Sequence, residues 1–193
     1  MDAFESLIAT LLRRDGWWTI SGFKVELTKP EKRRIQLPST PRWELDLVAY
    51  KGAINEFWVV ECKSFLDSPG VKFRRGRFEP ERRYKLFVNE TLRKVVLKRL
   101  VRQLVGYKAI ARSPKVRLCL AAGKLAGITR RDELKRHFDA RGWLLFDPDW
   151  ILQQLHLAAD DGYCNDVGYM VAKLLRRHAE RGLLVNGQDE ISG

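Results

Sequence analysis

Four charged residues on two neighbouring apolar stretches are placed to do chemistry together: Glu44 and Asp46 in WELDLVAY, and Glu61 and Lys63 in FWVVECKS. The stretches, residues 43–50 and 57–64, are joined by the short link KGAINE and read as a β-hairpin. Strand side chains alternate between faces, so Glu61 and Lys63 share one side while Val60 and Cys62 take the other. A turn centred between Ala53 and Ile54 sets Asp46 directly across from Glu61, with Cβ atoms roughly 5 Å apart. Two like charges so close destabilise a sheet unless something cationic neutralises them, and a hard divalent cation with oxygen ligands does so well. Carboxylates of this kind beside a lysine point to chemistry on a phosphate. A register shifted by two would make Glu44 the partner of Glu61, so Glu44 and Asp46 stand as alternatives for the first acid.

Taken alone, a strand glutamate near a lysine is more often a cross-strand salt bridge on a solvated face. The surrounding residues argue otherwise. Leu47, Val48, Val59 and Val60 make both strands apolar on both faces, which encloses the charges where unpaired ions are costly.

The order Asp46, then Glu61-Cys62-Lys63, on adjoining strands resembles the PD-(D/E)XK nuclease superfamily, in which an aspartate and an E-x-K lie on neighbouring strands of a small mixed sheet. Leu45 stands where many members have proline, a loss shared across this divergent group. The opening FESLIATLLRRDGWWTI is similar to that of Mrr-type restriction endonucleases and Holliday-junction resolvases, whose first helix carries a glutamate toward the metal; Glu5 matches that position. QLVGY, with Gln103 and Tyr107 one helical turn apart, resembles the Q-x-x-x-Y element of RecB-type nucleases. The resemblance spans roughly residues 2 to 150.

It implies a metal-dependent nuclease that hydrolyses DNA phosphodiester bonds in repair, recombination or defence. In this reading Asp46, Glu61, the carbonyl of Cys62 and Glu5 hold Mg²⁺ or Mn²⁺, Lys63 orients the attacking water or stabilises the transition state, and Gln103 and Tyr107 hold the scissile strand or Lys63. A non-catalytic nucleic-acid-binding module of the same fold and an RNA-directed nuclease are the competing classes. No appended recognition domain is visible, which leaves room for a partner protein supplying specificity and for a homodimer with two cutting centres.

The charge balance agrees with a polyanionic partner. Lys and Arg outnumber Asp and Glu by 36 to 24 in 193 residues, a formal charge of +12, which attracts nucleic acid. Within the basic run of residues 72–85, Lys72, Arg74, Arg75, Arg77, Arg82, Arg83 and Lys85 are the candidates for phosphate contacts, because guanidinium forks bind phosphates bidentately. Phe73, Phe78 and Tyr84, interleaved with them, suit either base stacking or anchoring of the segment to the core. Cys62, Cys119 and Cys164 lack CxxC spacing, and His137, His156 and His178 are scattered, so neither a disulfide framework nor a zinc site is expected. No apolar run approaches the roughly 20 residues that cross a bilayer, and the chain opens on an amphipathic helix rather than a signal sequence; a cytoplasmic protein without membrane association is expected.

These side chains need a scaffold, and the periodicities supply one. A helix is predicted over residues 3–12, a β-rich run over 17–27, a surface loop over 29–40, and then the hairpin. Residues 64–91 read as an extended basic loop or lid. From Thr91 a long basic helix carries Leu92, Val96, Leu100 and Leu104 on one stripe, and Pro114 stops it before a buried strand at 116–122. A helix at 129–141, a strand at 143–146 and a helix starting near Asp147 with Pro148 in its first turn follow. A last helix over 166–182 offers Val167, Met170, Val171, Leu174 and Leu175 for docking, and NGQDEISG forms a polar tail. The fold class is α/β: a restriction-endonuclease-like mixed β-sheet flanked by helices, an αβββαβ core with an additional αβα and a C-terminal helix. Residues 1–160 make the nuclease-like domain and 161–193 a helix and tail packed on it.

Overall fold

The apolar alternation of the central segments is realised as a five-stranded mixed sheet in the computed structural model, which describes residues 2–37, 39 and 42–186. The chain opens with α1 (Ala3–Arg14), β1 (Trp18–Val25), α2 (Lys29–Arg34), β2 (Trp43–Lys51) and β3 (Glu56–Lys63). It continues with β4 (Lys72–Arg74), β5 (Arg77–Glu79), α3 (Lys85–Val88), α4 (Glu90–Gly106) and β6 (Lys115–Ala122). It closes with α5 (Ile128–Asp139), β7 (Leu144–Phe146), α6 (Pro148–Asp160) and α7 (Val167–Asn186). The main sheet runs β1-β2-β3-β6-β7; the first three strands form an antiparallel meander, and β6 and β7 extend it in parallel with β3.

The hairpin register is the one a turn centred between Ala53 and Ile54 requires: Lys51 faces Glu56, Val48 faces Val59 and Leu47 faces Val60. The two-residue slip that would bring Glu44 to Glu61 does not occur, and Glu44 faces Lys24 on β1 instead. Asn55 enables the turn by taking a left-handed φ of 47°. Its side chain accepts from the Tyr50 hydroxyl at 3.1 Å and donates to the Arg112 carbonyl at 3.0 Å, which pins the turn to the segment entering β6.

One buried cluster joins Val48, Phe57, Val59, Leu118 and Leu120 of the sheet to Leu92, Val96, Leu100 and Leu104 of α4 and to Leu134 and Phe138 of α5. The α4 residues are the stripe read from helical spacing, all at most 3 % exposed. Leu47, Ala49, Val60, Cys119 and Ala121 are equally buried but outside that cluster, as alternation along the strands demands. They belong to the opposite face, where α1 packs with Ile8, Leu11 and Leu12 buried.

Three expectations are corrected. Residues 29–34 form a short helix rather than a loop, because Thr28 and Glu31 make a reciprocal capping box: the Thr28 N–H donates to Glu31 Oε2 at 2.8 Å, and the Thr28 hydroxyl accepts from the Glu31 N–H at 3.4 Å. Residues 64–91 are not an irregular loop. They hold the β4–β5 ribbon, a 3₁₀ turn at Glu81–Arg83 and α3, with Phe73, Phe78 and Tyr84 each no more than 2 % exposed. The rings therefore anchor the segment and are withdrawn from stacking on bases.

The third correction concerns the C-terminal part. The chain divides into two compact units, Met1–Pro148 and Asp149–Gly193. In the second unit Val167, Met170, Val171, Leu174 and Leu175 are exposed, whereas Tyr169 and Ala172 of α7 are buried. The reason lies in the stripe that faces α6: Lys173 donates to the carbonyls of Ala159 and Asp161, and Arg176 pairs with Asp160. Residues 187–193, most of the polar tail, lie outside the described residues, as do Pro38, Thr40 and Pro41 in the segment before β2. No helix among the described residues is long and apolar enough to cross a membrane.

Candidate active site

The β2–β3 ladder ends at the pair Leu47–Val60, one position short of Asp46 and Glu61. Beyond that point a side chain takes over from the backbone. The Cys62 N–H donates to Asp46 Oδ2 at 2.8 Å, so the carboxylate itself fastens the end of β2 to β3. Lys63 Nζ lies 2.6 Å from Glu61 Oε1 and 3.4 Å from Asp46 Oδ2, and donates to the Cys62 carbonyl at 3.1 Å. Asp46, Glu61, the Cys62 carbonyl and Lys63 thus form one polar knot, built from two strands whose neighbouring residues are core.

The knot is largely enclosed: the side chains of Lys63, Glu61 and Asp46 are 17 %, 20 % and 29 % exposed. Burial raises the pKa of Glu61; Lys63 opposes the rise and the charge of Asp46 adds to it. For Lys63 burial works against the charge, but Glu61 and Asp46 outweigh it and hold the pKa raised. One lysine is answering two carboxylates.

A third carboxylate is close. Glu5, in the first turn of α1, has its pKa raised by burial, with a further rise from the charge of Asp46. It also completes a capping box with Asp2, accepting from the Asp2 N–H at 3.4 Å while Asp2 Oδ1 accepts from the Phe4 N–H at 2.6 Å. The helix cap accounts for its fixed position, and the field of Asp46 records its nearness to the knot.

Gln103 and Tyr107 are placed differently. Gln103 Oε1 accepts from the Glu26 N–H at 3.0 Å, and its Nε2 donates to the Lys24 carbonyl at 3.2 Å and to the Tyr107 hydroxyl at 3.4 Å. These bonds clasp α4 to the end of β1, opposite Glu44; they do not reach Lys63. The pair stabilises the edge of the sheet beside the knot, and Tyr107 is 60 % exposed.

The basic segment meets the knot at one end. Arg83 holds its guanidinium carbon 5.6 Å from the ring centroid of Phe65, two residues past Lys63, and Lys85 Nζ lies 6.0 Å from that of Trp43 at the start of β2. Arg74, Arg75, Arg77, Arg82, Arg83 and Lys85 are exposed and Lys72 is half-buried. Tyr84 is a residue whose place the pattern of basic and aromatic residues obscured. It stacks on Phe78 at 4.2 Å, and its phenol is pushed up to about 12, chiefly by burial, while it feels the charges of Lys63, Arg83 and Glu61. The run KFRRGRFE carried the signal: two strands alternating apolar with polar around Arg75-Gly76 would have read as a hairpin that buries its aromatics.

On the far side of Lys63 the chain is held by a close approach. The Gly123 N–H donates to the Lys63 carbonyl at 2.9 Å, and a Cβ at position 123 would fall 2.4 Å from the Ser64 carbonyl oxygen. Only glycine fits there without displacement.

Among the described residues no group of three or more His, Cys, Asp and Glu is drawn together as a metal cage. Mg²⁺ does not need one, since it keeps several waters and is commonly held by one or two carboxylates. Asp46, Glu61 and the Cys62 carbonyl are hard oxygen donors of that kind, and burial, the chief cause of the raised pKa values of Glu61 and Glu5, marks an enclosed place for them. The donor set fits a small divalent cation. Comparison of the chain with family models, with curated proteins and with solved structures found no match.

Proposed function

We propose that the protein is a metal-dependent deoxyribonuclease of the PD-(D/E)XK, restriction-endonuclease-like type. The observation that carries the reading is the meeting of Asp46, Glu61 and Lys63 at the point where β2 and β3 part, with one ammonium shared between two enclosed carboxylates. When bound, Mg²⁺ or Mn²⁺ supplies a more acidic water and neutralises charge on the phosphate oxygens.

The protein's own residues supply the rest. Asp46, Glu61 and the Cys62 carbonyl would hold the cation, with Glu5 near enough to feel the charge of Asp46. Lys63 would present its ammonium to the phosphate and stabilise the negative charge of the transition state. Arg83, over the ring of Phe65, and Lys85, over that of Trp43, would hold the DNA backbone beside the knot.

The pairing of Lys63 with both acids also favours a second reading, in which the knot is an ion-pair network in a non-catalytic nucleic-acid-binding module. A cleavage panel separates the two. Single-stranded, duplex, flap and four-way-junction DNA are incubated with the protein in Mg²⁺ and in chelator. Cleavage of at least one substrate in Mg²⁺, abolished by chelator, is expected; binding without cleavage on every substrate, in Mn²⁺ as well, would leave only the binding module.

A further inference from the structure

The β4–β5 ribbon departs from what folding alone would choose at one place, its tip. Arg74 and Arg77 are direct cross-strand partners, and like charges opposite each other on one face destabilise a ribbon. Between them Arg75 and Gly76 make a two-residue turn with φ of 49° and 75°. Such a turn favours asparagine or glycine in its first position, because a side chain at positive φ is strained, yet an arginine occupies it. Among the described residues none of Arg74, Arg75 and Arg77 makes an ion pair, and all three are exposed. Three guanidinium groups are therefore gathered at one tip against the preference of both the turn and the pair.

The ribbon holding them is stiff. Its inner face is Phe73 and Phe78, packed edge to face at 5.0 Å; Phe73 packs on His137 at 4.7 Å and Phe78 stacks on Tyr84. The turn is tied to α5 through the Gly76 N–H, which donates to Glu133 Oε1 at 2.7 Å. Glu79 lies at the basal end of the ribbon, across from Lys72, while Glu133 reaches the turn itself, where the three guanidinium groups outnumber it.

We infer that this ribbon is a preformed element for docking on duplex DNA, with Arg74, Arg75 and Arg77 as its phosphate and groove contacts; the inference rests on the reading of the protein as a DNA nuclease and names the form of its substrate. The major groove of B-DNA admits a two-stranded ribbon, whereas that of A-form RNA is too narrow and deep. Binding to single strands draws on aromatic platforms, and both rings of this ribbon are buried.

The test measures binding by fluorescence anisotropy in chelator, where no cleavage intervenes. The probes are a DNA duplex, its single strand and an RNA duplex of the same sequence. Arg75→Gly supplies the residue the turn prefers, so this variant is expected to melt no lower than the parent yet bind duplex DNA about tenfold more weakly, the size of one lost charge-assisted contact. In Arg74→Gln/Arg77→Gln the slope of log affinity against log salt should fall by about two. Unchanged duplex affinity in both variants, or a parent that binds the single strand or the RNA duplex as tightly as duplex DNA, would overturn the inference. Failure of the nuclease reading looks different: duplex binding keeps its dependence on the ribbon, and no substrate is cut in Mg²⁺.

Discussion

Glu61 sits under opposed pressures that titration can read. Burial raises its pKa above that of an ordinary glutamate, Lys63 resists and Asp46 adds to the rise. The unfolded chain ionises this carboxyl more readily than the folded one, so the stability it confers is fully present below the unfolded pKa and is lost as pH rises through the raised folded value. Glu61→Gln, fixed in the neutral form, is therefore expected to melt above the parent near neutral pH, with the gap closing as pH falls toward about 4, in thermal denaturation across that range. A gap independent of pH would mean that the carboxyl carries no such strain. At this scale Asp46, Glu61 and Lys63 were legible because charged residues on strands apolar on both faces stand out. Glu5 was visible only through resemblance. Tyr84 was not legible as a neighbour of Lys63, since nothing local to it reveals which part of the core its ring enters. Gln103, singled out by pattern with Tyr107, fastens α4 to the end of β1 through the Lys24 carbonyl and Glu26 N–H, and Tyr107 only accepts from Gln103.

Between elements, the end of β3 depends on its parallel neighbour. Gly123 lets the chain after β6 lie against Ser64, and the Gly123 N–H holds the Lys63 carbonyl. Gly123→Ala places a methyl group within the van der Waals envelope of the Ser64 carbonyl, an overpacking expected to lower stability by about 1–3 kcal/mol. It should also lower cleavage by more than the unfolded fraction explains, because the carbonyl that moves is that of Ser64, beside Lys63. Calorimetry and activity measured on the same preparation check this, and a variant that matches the parent in both contradicts it. The strand faces of the hairpin, the α4 stripe and the buried β6 were readable because apolar periodicity over eight or more residues leaves little choice of face; the register was not, because a slip of two residues keeps every face. The ribbon was missed because its strands are three residues each, too short for alternation to rise above the surrounding charge. Helix α2 was hidden by its composition, though Thr28-x-x-Glu31 was the cap signature that marks it.

For the molecule as a whole, the excess of 36 basic over 24 acidic residues gives a long-range attraction for polyanions. Affinity for DNA should therefore fall steeply with salt. The order of the main-sheet elements and the mixed character of the sheet followed from the alternation of periods along the chain. The covered stripe of α7 did not, because an amphipathic pattern reads as a helix whatever it packs on. The central claim concerns the knot at the end of the first hairpin, and it is tested most directly by single-turnover cleavage of duplex DNA in Mg²⁺ by the parent and by Lys63→Ala. Removing the ammonium from the transition state is expected to slow cleavage by at least about 100-fold while duplex binding in chelator stays within a few-fold of the parent. Lys63→Ala protein that cuts at the parental rate would contradict the account.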